Sequence, residues 1–135
     1  MTRARLHASA AATLTIAAAL GIRATEEGAF AKYAGVALYT VLLYALVVAA
    51  RPRVRPMAAA AVALGLSWAM EFAQLSPLPE ELSARNGLLR LVFGSTFHAP
   101  DLFWYVVGAV CAYGVHRAYG RAAGRAPAGR VPTGR

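Results

Sequence analysis

A glutamate and a glutamine, Glu71 and Gln74, interrupt an otherwise apolar run from Met57 to Leu75. On insertion scales an acidic residue at the centre of a membrane helix costs about 2.5–3.5 kcal/mol, so it marks a site and implies a partner. Arg85 and Arg90 follow closely, and Asp101 lies beyond them. A forked guanidinium can hold a carboxylate with two hydrogen bonds, and it can equally present itself to a phosphate or carboxylate ligand. Helical spacing puts Ser67, Glu71 and Gln74 on one face, at i, i+4 and i+7. Asp101, Tyr105, Gly108 and Ala112 share a face of a later helix, and Lys32, Gly35 and Tyr39 do so on an earlier one. The candidate ligand-binding set is therefore Glu71, Gln74, Arg85, Arg90, Asp101, Tyr39 and Tyr105.

Each of these residues also has a plainer reading. Glu71 paired with an arginine could do no more than pin a loop. Asp101 after Pro100 has the chemistry of a helix start, where a carboxylate meets free N–H groups. Trp68, Trp104, Tyr33, Tyr105 and Tyr119 fit interface anchors. Cys111, the single cysteine, reads as a small buried packing residue. The chain has no HExxH, GxSxG, P-loop or CxxC pattern. A catalytic claim would rest on Glu71, His98 and Asp101 alone, so no catalytic residue, metal ligand or cofactor is assigned, and the balance is against an enzyme.

The elements that must position these residues are membrane helices. Hydrophobic residues make up 59% of the 135, gathered in blocks rather than spread at a globular period. Four blocks of near-spanning length fall at about 6–22, 34–50, 57–75 and 102–119. The expected fold is all-α, a polytopic membrane protein of four transmembrane helices, forming one domain over residues 1–119 with a basic, disordered tail from 120 to 135. The first block is read as a retained helix rather than a cleaved leader, because its small-residue end is a poor cleavage site. Pro52 and Pro56 bracket a tight hairpin between the second and third helices. Between the third and fourth helices, the apolar stretch 88–93 is interrupted by Arg90 and is too short to span, so it reads as a re-entrant or interfacial segment.

The net charge of +8 is nearly all arginine. These residues sit at block ends and in the tail rather than on a basic face interleaved with aromatics, which speaks against a nucleic-acid partner. With both termini inside, ten basic residues fall on the cytoplasmic side and four outside, the positive-inside bias. Glu71 would then lie about 9 Å below the outer end of its helix, counting back from Pro77 at about 1.5 Å per residue.

The run Met70-Glu-Phe-Ala-Gln-Leu75, then Arg85, Arg90-Leu-Val-Phe-Gly94, Phe97-His-Ala-Pro-Asp101, Tyr105 and Gly108 resembles domain-of-unknown-function family 2809, small bacterial four-helix membrane proteins. Lys32-Tyr-Ala-Gly35 with Tyr39 and Tyr44 fits that family's second helix, and the resemblance runs from about Leu6 to Tyr119. Where the family usually carries an acid after the glycine of helix two, this chain has Val36. The layout is also distantly similar to VanZ-like proteins, which are linked to glycopeptide-antibiotic resistance.

The resemblance implies a multi-pass protein of the bacterial cytoplasmic (inner) membrane. The leading functional expectation is an outward-facing polar pocket that binds an anionic or lipid-linked envelope component, with membrane lipids as further partners. In that reading Glu71 orients Arg85 or Arg90. The alternative is a structural or assembly subunit whose Glu/Arg/Asp cluster only pins the outer loop. In that case Gly108 and Ala112 would serve contacts between copies in a homo-oligomer. An intramembrane enzyme or transporter ranks below both.

Overall fold

The computed structural model describes residues 2–93 and 97–125, and every regular element among them is helical. Helix α1 spans Arg3–Thr25, α2 Ala29–Ala50, α3 Pro56–Ala73, α4 Leu78–Arg85, α5 Gly87–Phe93 and α6 Ala99–Gly124. α1, α2 and α3 are long and apolar enough to cross a membrane. The helix expected at 102–119 is present within α6, longer at both ends. Residues 126–135 of the expected tail lie outside the described residues.

Local chemistry explains the ends. The Thr2 hydroxyl accepts from Arg5 N–H and caps α1. Between α1 and α2 the chain reverses through Gly28 at φ +88°, a region that favours glycine. Pro56 opens α3, where its missing N–H is no loss. α3 stops at Ala73, two residues short of the expected Leu75. There Gln74 N–H bonds back to the Glu71 carbonyl, and the Ser76 hydroxyl bonds the Ala73 carbonyl at 2.6 Å. α4 falls within the connection between the third and fourth expected helices. Its first turn carries Glu80 and Glu81 and its last turn Arg85, which is the charge order a helix dipole favours.

α2 is the central element, packing against α1, α3 and α6, while α3 also packs on α6 and α4 on α5. Small residues let these backbones approach: Ala59, Ala63, Ala109 and Ala112 are buried at the crossings. A Cβ on Gly108 would collide with the carbonyl oxygen of Ala37, so this glycine sets the α2–α6 contact. Gly108 thus serves a close helix–helix approach within the chain, on the face that Asp101, Tyr105 and Ala112 share.

Several polar side chains are buried while many large apolar ones face outward. The largest fully buried side chains are Glu71, Thr40 and Ser67, whereas Leu14, Val110 and Val115 are more than 60% exposed. Water as the solvent would reverse this pattern; a bilayer rewards it, because apolar side chains face lipid and polar ones find partners inside. Cys111 follows the same rule: it is exposed on α6, not buried as expected.

Candidate functional site

Glu71 is held by two neutral donors. Oε1 accepts from the His98 backbone N–H at 2.6 Å and Oε2 from the Tyr105 hydroxyl at 2.9 Å. Glu71 is only 1% exposed although it stands three residues before the end cap of α3, about 4.5 Å of helix rise rather than the expected 9 Å. Burial there comes from the start of α6 packing beside it, not from depth along the helix. Neither arginine is the partner: the ion pairs within 4 Å among the described residues are Lys32–Asp101 and His98–Asp101. The expectation that Glu71 orients Arg85 or Arg90 is corrected accordingly. A buried carboxylate needs donors close by, and a backbone N–H and a phenol already at the α6 end satisfy it without ordering a long exposed side chain.

This arrangement changes the role of Asp101. His98 is the N-cap of α6, and Asp101 stands three residues on, where an acidic side chain ordinarily reaches back to the cap N–H. Here Glu71 takes that N–H. Asp101 Oδ1 instead faces Lys32 Nζ at 3.9 Å and His98 Nδ1 at 3.4 Å, the latter close but not aligned as a hydrogen bond. The Asp101 side chain is 11% exposed against 42% for Lys32.

These groups sit at one end of a cleft of about 800 Å³. α1 lines one side, α3, α5 and α6 the other, and α2 runs between them. Of the sequence-derived candidates, the cleft brings together Glu71, Gln74, Arg90, Asp101, Tyr39 and Tyr105. Arg85, exposed at the end of α4, is not among its lining residues. The Tyr39 and Tyr105 rings lie 6.2 Å apart, and Tyr105 is buried, so it is a partner of Glu71 rather than an interface anchor. Trp68 Nε1 donates to the Leu102 carbonyl and so joins α3 to α6, and the Tyr33 ring stacks on Trp104 at 5.3 Å.

The sequence-derived set missed Lys32, Arg23, Glu26 and Glu27 as lining residues. Lys32 shares a helical face with Tyr39, a signal that was available. The other three belong to the end of α1 and the turn after it, which only the packing of α1 on α2 brings to the cleft. Away from its charged end the cleft is apolar, with Ile16 and Leu20 of α1 about half exposed along it. Among the described residues no group of three or more His, Cys, Asp or Glu side chains is placed to hold a metal.

Deeper between the helices, the Thr40 and Ser67 hydroxyls are 2.8 Å apart, and Ser67 also donates to the Ala63 carbonyl. At the far end Tyr44 lies 2.8 Å from His116 Nδ1 and donates to the Pro56 carbonyl at 3.3 Å. His7 meets Tyr119 there, and Arg5 Nε donates to the Ala49 carbonyl.

Exposed large apolar side chains, fully buried polar ones and three helices of spanning length define a helical membrane protein. Residues 25–109 match the model of a family described as a protein of unknown function (DUF2809), and the chain belongs to that family. The match is narrower than the 6–119 expected, yet it contains Lys32, Tyr39, Glu71, Gln74, Arg90, Asp101 and Tyr105. No curated protein and no solved structure matches the chain.

Proposed function

We propose that this chain is a multi-pass protein of the bacterial cytoplasmic membrane, with α6 as a fourth span and both termini cytoplasmic. Its cleft faces outward and binds an anionic or lipid-linked envelope component. The observation that carries this reading is the make-up of the cleft, with charged groups at one end and an apolar wall along the rest. Because both oxygens of Glu71 are already engaged, the Arg90 guanidinium is not consumed by the one buried carboxylate it was expected to meet. A headgroup bearing phosphate would take Arg90 and Lys32, and a hydrocarbon chain would lie against Ile16 and Leu20. The ten-to-four split of basic residues supports the orientation. The distant similarity to VanZ-like proteins points to the cell envelope as the setting.

Native mass spectrometry of the detergent-purified chain with a polyprenyl phosphate tests this. Saturable one-to-one binding is expected, weakened about tenfold or more when Lys32 and Arg90 are both changed to alanine. Binding that never saturates, or that ignores both substitutions, counts against the pocket.

A structural role has one specific observation in its favour, the pair of bonds by which Glu71 ties α3 to the start of α6. That bond pair explains Glu71 well but leaves the cleft and its cations without a purpose, so it ranks second.

A further inference from the structure

We infer that the headgroup suited to this cleft is zwitterionic, a phosphate ester that also carries a cationic amine; this rests on the reading of the cleft as a lipid-headgroup site. The argument is one of charge complementarity. Glu71 is already held by His98 and Tyr105, and Asp101 faces Lys32 and His98. Four further charged side chains line the cleft: Arg23, Glu26, Glu27 and Arg90. None of the four has an ion-pair partner within 4 Å among the described residues, and all four are exposed.

Beyond Lys32, which Asp101 would share with a phosphate, two guanidinium groups and two carboxylates thus remain for a ligand. The carboxylates stand at the turn between α1 and α2, and Arg90 stands on α5 across the cleft. A headgroup carrying only negative charge would meet Arg90 but also face Glu26 and Glu27 in the same cleft. A headgroup carrying only positive charge would meet the reverse problem at Arg23 and Arg90. A phosphate bearing an ammonium satisfies both sets at once, each by a charge-assisted hydrogen bond. From Glu26 to Ile16 the α1 wall runs ten residues, about 15 Å at about 1.5 Å per residue, and turns apolar along Leu20 and Ile16. That length accepts a good part of one hydrocarbon chain, which places the charged end of an amphiphile at the turn.

The experiment compares dioleoyl phosphatidylethanolamine, dioleoyl phosphatidylglycerol and dioleoylglycerol for binding to the full chain by native mass spectrometry. The variants are Glu26→Gln with Glu27→Gln, and separately Arg90→Gln. Phosphatidylethanolamine is expected to bind about tenfold more tightly than phosphatidylglycerol. The double glutamine variant is expected to abolish that preference, and Arg90→Gln to weaken both phospholipids relative to dioleoylglycerol. All three changes are at exposed positions, and unchanged melting temperatures would show that folding is intact. Equal binding of the two phospholipids, or a preference that survives the double glutamine change, overturns the zwitterion inference while the lipid site stands. Failure of both phospholipids to bind saturably overturns the site and the inference together.

Discussion

The two ends of this bundle are both polar, and they handle polarity differently. Around Tyr44 the bonds join its hydroxyl to His116 and the Pro56 carbonyl, and the Arg5 guanidinium to the Ala49 carbonyl. These bonds consume the groups that make them and fasten neighbouring helices. At the other end a buried carboxylate is equally well satisfied, but it sits beside a cleft whose exposed charges are not. The contrast separates two uses of polar residues in an apolar solvent. Interhelical bonds hold the frame, and unspent charge around a cavity is left for something else.

Substitutions sharpen that contrast, beginning with the frame common to both ends. Gly108→Leu would drive a side chain into the Ala37 carbonyl. We expect a loss of about 3 kcal/mol or more and little folded protein, read by size-exclusion profile and melting in detergent. A normally folding variant would mean that α2 and α6 do not cross this closely. Glu71→Ala comes next. It strands the His98 N–H and the Tyr105 hydroxyl and should cost about 2–3 kcal/mol in equilibrium unfolding in mixed micelles. Tyr44→Phe, at the opposite end, should cost only about 1 kcal/mol by the same measurement, since His116 and Pro56 lose one shared hydroxyl. Were Tyr44→Phe the more damaging of the two, the ranking of the ends would be reversed. Arg90→Ala should have the smallest effect on stability, within about 0.5 kcal/mol, because the side chain is exposed and has no ion-pair partner within 4 Å. Its effect should appear in lipid binding instead.

The sequence revealed the long helices and the marked residue but not the partner. Blocks of apolar residues located α1, α2, α3 and α6 because hydropathy is a property of a whole segment, legible without tertiary contacts. The α3 face was legible too, since Ser67 and Glu71 are buried as their spacing implies. Pairing was harder to read. The natural assumption that a carboxylate meets a guanidinium pointed to Arg85 and Arg90, whereas the donors are a backbone N–H, invisible in any sequence pattern, and a tyrosine hydroxyl nearly two turns into α6. Arg85 drew attention by proximity in sequence, yet α4 intervenes as a separate helix and carries it away from the cleft. Glu26 and Glu27 belong to no helical pattern in the sequence, and only the packing of α1 on α2 brings them to the cleft.

A double-mutant cycle tests the central claim most directly: that Glu71 belongs to the frame and Arg90 to the cleft. Glu71→Ala is combined in turn with Tyr105→Phe and with Arg90→Ala, and unfolding is followed in mixed micelles. The structure predicts a coupling of about 1–2 kcal/mol between Glu71 and Tyr105, and less than about 0.5 kcal/mol between Glu71 and Arg90. Strong coupling to Arg90 with none to Tyr105 would contradict it, returning Glu71 to the role of an arginine partner and removing the basis for an unspent cation in the cleft.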